Sequence, residues 1–456
     1  MGFVLTILYV LTYYLTPTVM FGSLAEYRIE LILAGVIVIV SLPALSGSSV
    51  GKTAQLPALI GLAFATFMSM LIGASWAGGG VTAVLLFIPN AFAYLLVCLH
   101  CTTKRKVQIV ILMMLFVCLF VIGQGAIELR HGLPQGAAAH STDMSGSYFL
   151  GMSNEHKQWF YRLRGQGQIN DPNDFAQLII CVLPLMFFFW QKKKKIRNFV
   201  FVLVPVGLLL WGAFLTHSRG SILALMAVVI VALRKKIGTV PSIILAAVLF
   251  AGASAAGYTG GRDISASAGE DRTELWGDGL QLLKAHPLFG IGFGNMTDAI
   301  GKTAHNTIVV CAAELGLCGL FFWSMFLFPS VRDSFVVAWP KNIVEKKPVV
   351  LSDNAFALPP PGGAAVPDEA DIRRLARLLV LSFTGFMVTG WFLSRAFVLT
   401  LFLLGGLAEV AFQMALQRGM VSPRLPLGRV LRYSGVMTIG FILVMYITLR
   451  IVNLTH

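Results

Sequence analysis

The chain has 456 residues, of which 57% are hydrophobic and only 12% are charged. An ordinary soluble domain has roughly 45–50% apolar and about 25% charged residues, and the mean hydropathy of +0.79 departs in the same direction. This composition excludes a soluble enzyme, a disordered scaffold and a disulfide-stapled secreted module. The net charge of +14 could suggest a nucleic-acid partner. In a membrane chain, however, positive charge first marks the side that a loop faces, so we expect no nucleic acid.

Apolar segments long enough to cross a bilayer recur along the whole chain. A span needs about 20 mostly apolar residues, and backbone amides in lipid have to be satisfied within the chain, which favours helices. The segments lie at 3–20, 30–46, 56–74, 82–101, 107–127, 174–190, 199–216, 221–234, 240–258, 305–331, 376–394, 396–416 and 433–451. The sequence therefore predicts an all-α fold, a polytopic membrane bundle of about 13 (12 to 14) transmembrane helices.

The basic residues orient this bundle. Most of the 35 Lys and Arg residues fall in connections that the predicted spans place on one side of the membrane. These connections contain Lys52, Lys104 to Lys106, Lys192 to Arg197, Arg234 to Lys236, and the stretches 332–377 and 418–432. Short loops rich in Lys and Arg stay in the cytoplasm. We therefore expect a cytoplasmic N-terminus, and the first apolar segment is expected to be a retained span rather than a cleaved signal peptide.

Loop lengths divide the predicted chain into five blocks. Two external loops are near 45 residues long, which is uncommon for loops without a function of their own, and a third long connection is cytoplasmic and contains Pro359 to Gly363, a composition typical of a flexible linker. The blocks are N-terminal spans 1–127, a first external loop 128–173, a central membrane core 174–331 that includes the second external loop 259–304, a cytoplasmic linker 332–375, and C-terminal spans 376–456.

Three ionisable residues stand at external span ends, where charge has to be explained because it is costly within the membrane. Arg219 lies in a very short connection between two spans, Arg272 lies in the second external loop, and His305 opens the tenth span. Guanidinium groups bind phosphate oxygens in pairs and remain charged, and a histidine can accept a proton from a hydroxyl at neutral pH. Each residue also has a bland interpretation: Arg219 as a lipid-headgroup contact, Arg272 as a partner of Glu270 or Glu274, and His305 as a cap.

The motifs around these residues resemble those of the O-antigen ligase/polymerase superfamily over about 170–330. In particular, ten residues separate His305 from Gly316, as in the His-x10-Gly pattern associated with O-antigen ligases. The motifs that carry the resemblance are Asp171-Pro172-Asn173-Asp174-Phe175-Ala176, Thr216-His217-Ser218-Arg219-Gly220, Arg272 followed by Trp276, Pro287-Leu288-Phe289-Gly290-Ile291-Gly292, His305-Asn306-Thr307 and Glu314-Leu315-Gly316.

The resemblance implies a glycosyltransferase of the bacterial inner membrane with its active site on the periplasmic face. Such an enzyme takes a glycan from an undecaprenyl diphosphate carrier and passes it to a glycolipid or glycan acceptor. Carried over to this chain, Arg219 and Arg272 would grip the diphosphate and His305 would activate the acceptor hydroxyl. The predicted substrate-binding residues are Arg164, Asn173, Trp276 and Asn306. Glu314, about 180° around the helix from His305 at 100° per residue, is assigned to span packing.

No metal or cofactor is expected, since Cys98-Leu99-His100-Cys101 has no second ligand pair. Ligation of O-antigen to lipid A-core is favoured by the His-x10-Gly spacing and the long second loop, with polysaccharide polymerisation as the close alternative. A lipid or solute transporter is the alternative of another class. It predicts broken helices and ionisable residues near the bilayer midplane, where the sequence places only Glu314 and Glu409. The oligomeric state stays open.

Overall fold

A computed structural model describes residues 1–27, 29–46, 50–131, 148–152, 159–255, 258, 267–339 and 368–455. These residues form helices almost throughout, together with one pair of strands. In chain order they are α1 Gly2–Leu15, α2 Pro17–Met20, α3 Ile29–Ser46, α4 Gln55–Met68, α5 Ala77–His100, α6 Lys104–His131, β1 Tyr148–Met152, β2 Trp159–Leu163, α7 Pro172–Leu185, α8 Lys195–Asn198, α9 Val204–Leu215, α10 Arg219–Ile237, α11 Thr239–Ala255, α12 Ser267–Ala285, α13 Met296–Ile300, α14 Thr307–Ala338, α15 Glu369–Gly390, α16 Leu399–Gln417 and α17 Leu427–Thr455.

The helices confirm a multi-pass membrane protein. Among the described residues, 8 helices are long and apolar enough to cross a membrane, and α1, α3 and α11 are shorter apolar helices. Two more predicted spans coincide with α10 and α15, which carry clusters of charged residues at one end. The 8 spanning helices are Gln55–Gly73, Ala77–His100, Lys104–His131, Pro172–Phe189, Lys195–Leu215, Thr307–Ala338, Leu399–Gln417 and Leu427–Ile451. The count of about 13 spans stays a prediction.

The chain folds into two compact units, each assembled from three separate stretches. Unit 1 contains Met1–Gly47, Leu99–Asp263 and Leu351–Thr389. Unit 2 contains Ser48–Cys98, Ile264–Val350 and Gly390–His456.

The core of unit 1 is α7. Pro172 occupies its first turn and Asp171 caps it, with the carboxylate accepting a hydrogen bond from the backbone N of Asn173 at 2.7 Å. Proline at this position and aspartate at the cap are the residues that a helix start favours. Nearly every side chain of α7 is buried, and Gln177 donates to Thr389 at 2.9 Å. The last two turns of α7, from Leu178 to Leu185, are apolar on all sides, as expected for a helix enclosed by neighbours.

The core of unit 2 is formed by α14 and α16. Trp323 is fully buried and donates from its indole nitrogen to the carbonyl oxygen of Ala396 at 3.0 Å. Glu409, in the middle of α16, is 1% exposed and forms an ion pair with Arg424 in the connection to α17. Removing either partner would leave a buried charge without compensation, a loss that typically costs about 3–5 kcal/mol. The pair therefore fixes this connection to the helix bundle.

Both predicted external loops contain secondary structure that a search for apolar spans does not detect. The second loop, 259–304, includes the 19-residue helix α12 and the short helix α13. The first loop, 128–173, includes the antiparallel pair β1–β2, in which Phe149 lies opposite Arg162. The fold class is thus helical with one small hairpin. Residues 132–147 and 153–158 of the first loop, 259–266 of the second loop, and most of the predicted linker with Pro359 to Gly363 lie outside the described residues.

Candidate active site

Arg219 is the first residue of α10, directly after a three-residue connection from α9. Ser218 occupies the cap position in an extended conformation, and His217 adopts a left-handed conformation with φ of 48°. A cation at a helix N-terminus is unfavourable by about 0.3–1 kcal/mol because the helix dipole is positive there. The same end of a helix attracts phosphate groups. Arg219 therefore stands at a helix end that attracts anions and where the helix dipole disfavours a cation.

Arg162 holds the connection that precedes Arg219. Its Nε donates to the backbone oxygen of Thr216 at 2.9 Å, and its Nη2 donates to Oδ1 of Asn173 at 2.8 Å. The arginine is 7% exposed, so these charge-assisted bonds are shielded from water. The amide oxygen of Asn173, a residue predicted to bind substrate, thus accepts a hydrogen bond from Arg162. The sequence prediction named Arg164, which lies one residue beyond β2 and is half-buried, and it missed Arg162.

Tyr258 holds the same connection from another side. Its backbone oxygen contacts Nδ1 of His217 at 2.9 Å, and its hydroxyl contacts the Ser221 hydroxyl at 2.7 Å. Its ring meets Phe214 edge-on with 5.8 Å between ring centroids, an arrangement favourable for aromatic pairs. The connection before Arg219 is therefore held at Thr216 by Arg162 of β2 and at His217 by Tyr258, which lies three residues beyond the end of α11.

His305, in unit 2, directly precedes the residue that caps α14. Its backbone N donates to the Ser394 hydroxyl at 3.1 Å, and the same hydroxyl contacts the His305 Nδ1 at 3.2 Å. The backbone of His305 is left-handed, with φ of 48°. Such a conformation costs on the order of 1–3 kcal/mol and concentrates at functional sites. Ser394 therefore fixes both the backbone and the imidazole orientation of His305.

Asn306 is fully buried and acts as the cap of α14. Its Oδ1 accepts from the backbone N of Ile308 at 2.9 Å and of Val309 at 3.1 Å. Its Nδ2 donates to the backbone oxygen of Trp391 at 3.2 Å. Because both ends of the amide are engaged within the protein, the geometry favours a structural role over the substrate contact that the sequence predicts.

Arg272 and Trp276 lie on α12 and contact the segment that follows α15. The guanidinium carbon of Arg272 lies 5.9 Å from the centroid of the Phe392 ring, within the range of a cation–π interaction. Trp276 is 5% exposed, packs edge-on against Trp391 and donates from its indole nitrogen to the backbone oxygen of Ala304 at 2.8 Å. Trp276 thus anchors the residue immediately before His305.

The segment from Trp391 to Arg395 is the common support of the predicted residues in unit 2. Trp391 contacts Trp276 and Asn306, Phe392 lies under Arg272, and Ser394 holds His305. The sequence interpretation treated this stretch as the end of one predicted span, 376–394, followed at once by the next, 396–416. The sequence feature that could have indicated this supporting role was Ser394, a polar residue in a connection too short to be a solvated loop.

The helix α14 is broken at Gly316, where φ is 66° and ψ is −166°. The backbone groups freed by the break pair with the segment 287–292. Leu317 N donates to Pro287 O at 2.8 Å and Cys318 N to Leu288 O at 3.1 Å, while Ile291 N donates to Ala313 O at 3.0 Å and Gly292 N to Glu314 O at 3.1 Å. A Cβ at position 316 would lie 2.4 Å from the Leu288 oxygen. The glycine that follows His305 after ten intervening residues is therefore required by the backbone.

The assignment of Glu314 to span packing needs correction. Its Oε1 accepts a hydrogen bond from the backbone N of Met296 at 3.4 Å, so the carboxylate ties α14 to the start of α13. Sequence periodicity missed this role because His305 lies before the cap of α14 with a left-handed backbone, so helical spacing does not relate it to Glu314, and because α13 lies in a region predicted as a loop.

Comparison with known proteins adds the family. Residues 175–324 match the family model described as O-antigen ligase. This match supports membership of the O-antigen ligase superfamily for the part of the chain that it covers. No curated protein matches it. The matched region runs from the start of α7 to the middle of α14, and it contains Arg219, Arg272 and His305 in the order expected from the resemblance.

The region that matches the O-antigen ligase family model is divided between the two units. Unit 1 brings Asn173 to the connection before Arg219 through Arg162. Unit 2 brings Arg272, Trp276, His305 and Asn306 to one short segment. That segment lies outside the matched range, as do Arg162, Arg164 and Asn173, so residues beyond the O-antigen ligase domain support its predicted site residues.

Proposed function

We propose that this protein transfers a glycan from an undecaprenyl diphosphate carrier to an acceptor hydroxyl at the periplasmic face of the inner membrane. The specific reaction proposed is ligation of O-antigen to lipid A-core. The observation that carries the proposal is the family match over 175–324, which spans Arg219, Arg272 and His305. The positive-inside pattern supports the orientation, with the N-terminus in the cytoplasm.

The two arginines are proposed as donor-binding residues. Arg219 presents a guanidinium at the N-terminus of α10, where the helix dipole also favours a diphosphate. Arg272 lies on α12 above the Phe392 ring, which limits the orientation of its guanidinium plane. Each arginine would bind phosphate oxygens and stabilise the negative charge that grows on the diphosphate as it leaves. Permanent guanidinium charge at these positions supports a reaction without a metal ion.

His305 is proposed to activate the acceptor. Its imidazole would take the proton of the acceptor hydroxyl while the hydroxyl oxygen forms a bond to the anomeric carbon of the glycan. The bond between that carbon and the diphosphate breaks, and its electron pair leaves with the diphosphate. Ser394 holds the imidazole through Nδ1, an arrangement that would direct the remaining ring nitrogen to the acceptor. Trp276 and Asn306 fix the backbone on either side of His305.

A transporter remains the alternative of another class, and the break in α14 is the feature that would favour it. Broken helices in transporters expose backbone groups to a bound ion or substrate. Here the backbone groups at Gly316 are paired with Pro287, Leu288 and their neighbours, so the break is filled by the chain itself. This pairing supports a structural origin of the break.

The proposed function is tested by supplying the purified full-length protein with an undecaprenyl diphosphate-linked glycan and lipid A-core, in the absence of ATP and of any ion gradient. We expect a new covalent conjugate of the glycan with lipid A-core. Lengthening of the lipid-linked glycan with no conjugate would replace ligation by polymerisation. Movement of lipid or solute in vesicles without any new glycosidic bond would overturn glycosyl transfer altogether.

A further inference from the structure

A short basic segment joins two spanning helices of unit 1. One helix ends at Phe189 and the next begins at Lys195, so the connection is too short to leave the membrane surface. Lys192 to Lys195 and Arg197 place five positive charges within six positions. We call residues 190–198 the basic loop.

Hydrogen bonds at both ends give the basic loop a defined shape. The buried side chain of Asn198 donates from Nδ2 to the backbone oxygen of Gln191 at 2.6 Å, and its Oδ1 accepts from the Gln191 backbone N at 2.8 Å. Arg374 of α15 donates from Nη1 to the backbone oxygen of Trp190 at 2.7 Å. The charged side chains between these two ends are therefore presented from a fixed backbone.

Arg197 differs from the lysines of the basic loop because its guanidinium is partly enclosed. The four lysines are exposed, whereas Arg197 is half-buried and its Nη1 has no hydrogen-bond partner among the described residues. Two carboxylates of the neighbouring helix α15 are engaged elsewhere, Asp371 with Lys104 and Glu369 with Arg373. An enclosed charge normally has a hydrogen-bonding or ionic partner. The position of Arg197 thus points to an anion supplied from outside the chain.

The apolar side chains of the same region indicate which anion fits. Trp190, Ile196 and Phe199 are 37%, 83% and 60% exposed. Tryptophan at the end of a spanning helix favours the level of the lipid headgroups. A free phosphate ion would satisfy the cations and leave these three side chains without a partner. An anionic phospholipid offers a phosphate to the cations and hydrocarbon to the apolar side chains.

We propose that the basic loop binds the phosphate of an anionic phospholipid in the cytoplasmic leaflet, with Arg197 as the main phosphate ligand. A guanidinium matches two phosphate oxygens at once, and lysines close to a bilayer add attraction to anionic headgroups. The positive-inside pattern assigns this loop to the cytoplasmic side. The inference is independent of the proposed glycan transfer.

The test compares two arginine substitutions that remove the same charge. Arg197→Gln removes the enclosed guanidinium, whereas Arg432→Gln removes an exposed arginine near the start of α17, in another connection predicted to be cytoplasmic. The purified full-length proteins in detergent are titrated with phosphatidylglycerol or neutral phosphatidylcholine, and bound lipids are counted by native mass spectrometry. Arg197→Gln should raise the apparent Kd for phosphatidylglycerol roughly 3- to 10-fold through the loss of a charge-assisted contact, and Arg432→Gln should match wild type.

An unchanged Kd in Arg197→Gln, or an equal rise in both variants, would overturn a specific site at Arg197. Equal binding of phosphatidylcholine by wild type would overturn the choice of an anionic lipid. Displacement of the lipid by an equal concentration of glycerol phosphate would instead assign the site to a soluble phosphate.

A second measurement uses wild-type protein alone and does not depend on how the variants fold. A phosphatidylglycerol with a photoreactive group in its headgroup should label residues 190–199, as read from peptide mass spectrometry. Labelling confined to other segments of the chain would contradict the proposal.

Discussion

Ser394 contacts His305 twice, accepting a hydrogen bond from its backbone N at 3.1 Å and meeting its Nδ1 at 3.2 Å. A single side chain thus supports both the left-handed backbone and the imidazole orientation of His305. Replacing Ser394 by Ala removes both contacts with little change in volume. We expect kcat for glycan transfer to fall about 10-fold with a small change in donor KM, as for the loss of an orienting hydrogen bond in general acid–base catalysis.

The matched control for this substitution is Ser324→Ala, which removes a buried serine further along α14. Wild-type kcat in Ser394→Ala, measured from initial rates with equal amounts of protein in the membrane, would show that Ser394 does not orient the reacting group. Ser394→Thr keeps a hydroxyl and should recover part of the lost kcat.

Arg162 is expected to act through Arg219. Its two hydrogen bonds hold the Thr216 carbonyl and the Asn173 amide, and lysine has a single ammonium group that cannot reproduce the guanidinium fork. Arg162→Lys should therefore raise the donor KM several-fold, while Arg162→Ala should also lower the free energy of unfolding by about 1–3 kcal/mol through unsatisfied buried groups.

Initial rates against donor concentration and thermal unfolding measure these two effects of Arg162. Arg130→Ala, at the exposed end of α6, is the control. If Arg162→Lys lowers stability and leaves the donor KM unchanged, the role of Arg162 is structural only.

Gly316 is a position where both the backbone conformation and the surrounding atoms exclude a side chain. An alanine there would have to adopt φ of 66° and would bring its Cβ within 2.4 Å of the Leu288 oxygen. We expect Gly316→Ala to reduce the free energy of unfolding by about 2–4 kcal/mol. Gly440→Ala, in an open helical position, should be neutral or stabilising by up to about 1 kcal/mol. Equal thermal unfolding midpoints for the two variants would contradict the break in α14.

Substitutions of Asn306 distinguish a capping role of this residue from a substrate contact. Serine is as good a helix cap as asparagine, whereas alanine loses about 0.5–2 kcal/mol at this position. Asn306→Ser should therefore keep most of the stability and the acceptor KM, and Asn306→Ala should lose stability. A large rise of acceptor KM in Asn306→Ser, with wild-type unfolding behaviour, would restore the substrate contact predicted from the sequence.

The sequence predicted the membrane class and the positions of the apolar helices because apolar runs and basic clusters are local signals, but it did not predict α12 and α13. It also identified Arg219, Arg272 and His305 as site candidates, because their motifs are short and contiguous. It missed Arg162 and Ser394, whose roles depend on contacts with residues 54 and 89 positions away in the chain. Such pairings are set by tertiary packing and leave no periodicity in a single sequence.

The break at Gly316 is a second feature that the sequence revealed only in part. Its spacing from His305 was visible as a pattern, but its cause was not. The cause is the backbone segment from 287 to 292, which pairs with α14 at the break. In the sequence alone, the pattern favoured ligation over polymerisation. Because the glycine answers a backbone requirement, its spacing describes the architecture of unit 2.

The most direct test of the central claim is glycan transfer by His305→Ala. The variant is compared with wild type and with His286→Ala, a substitution of an exposed histidine in the same unit, at equal protein levels in the membrane. The proposed mechanism predicts that His305→Ala forms no covalent glycoconjugate while His286→Ala matches wild type. Conjugate formation by His305→Ala at the wild-type rate would contradict the assignment of His305 as the group that activates the acceptor.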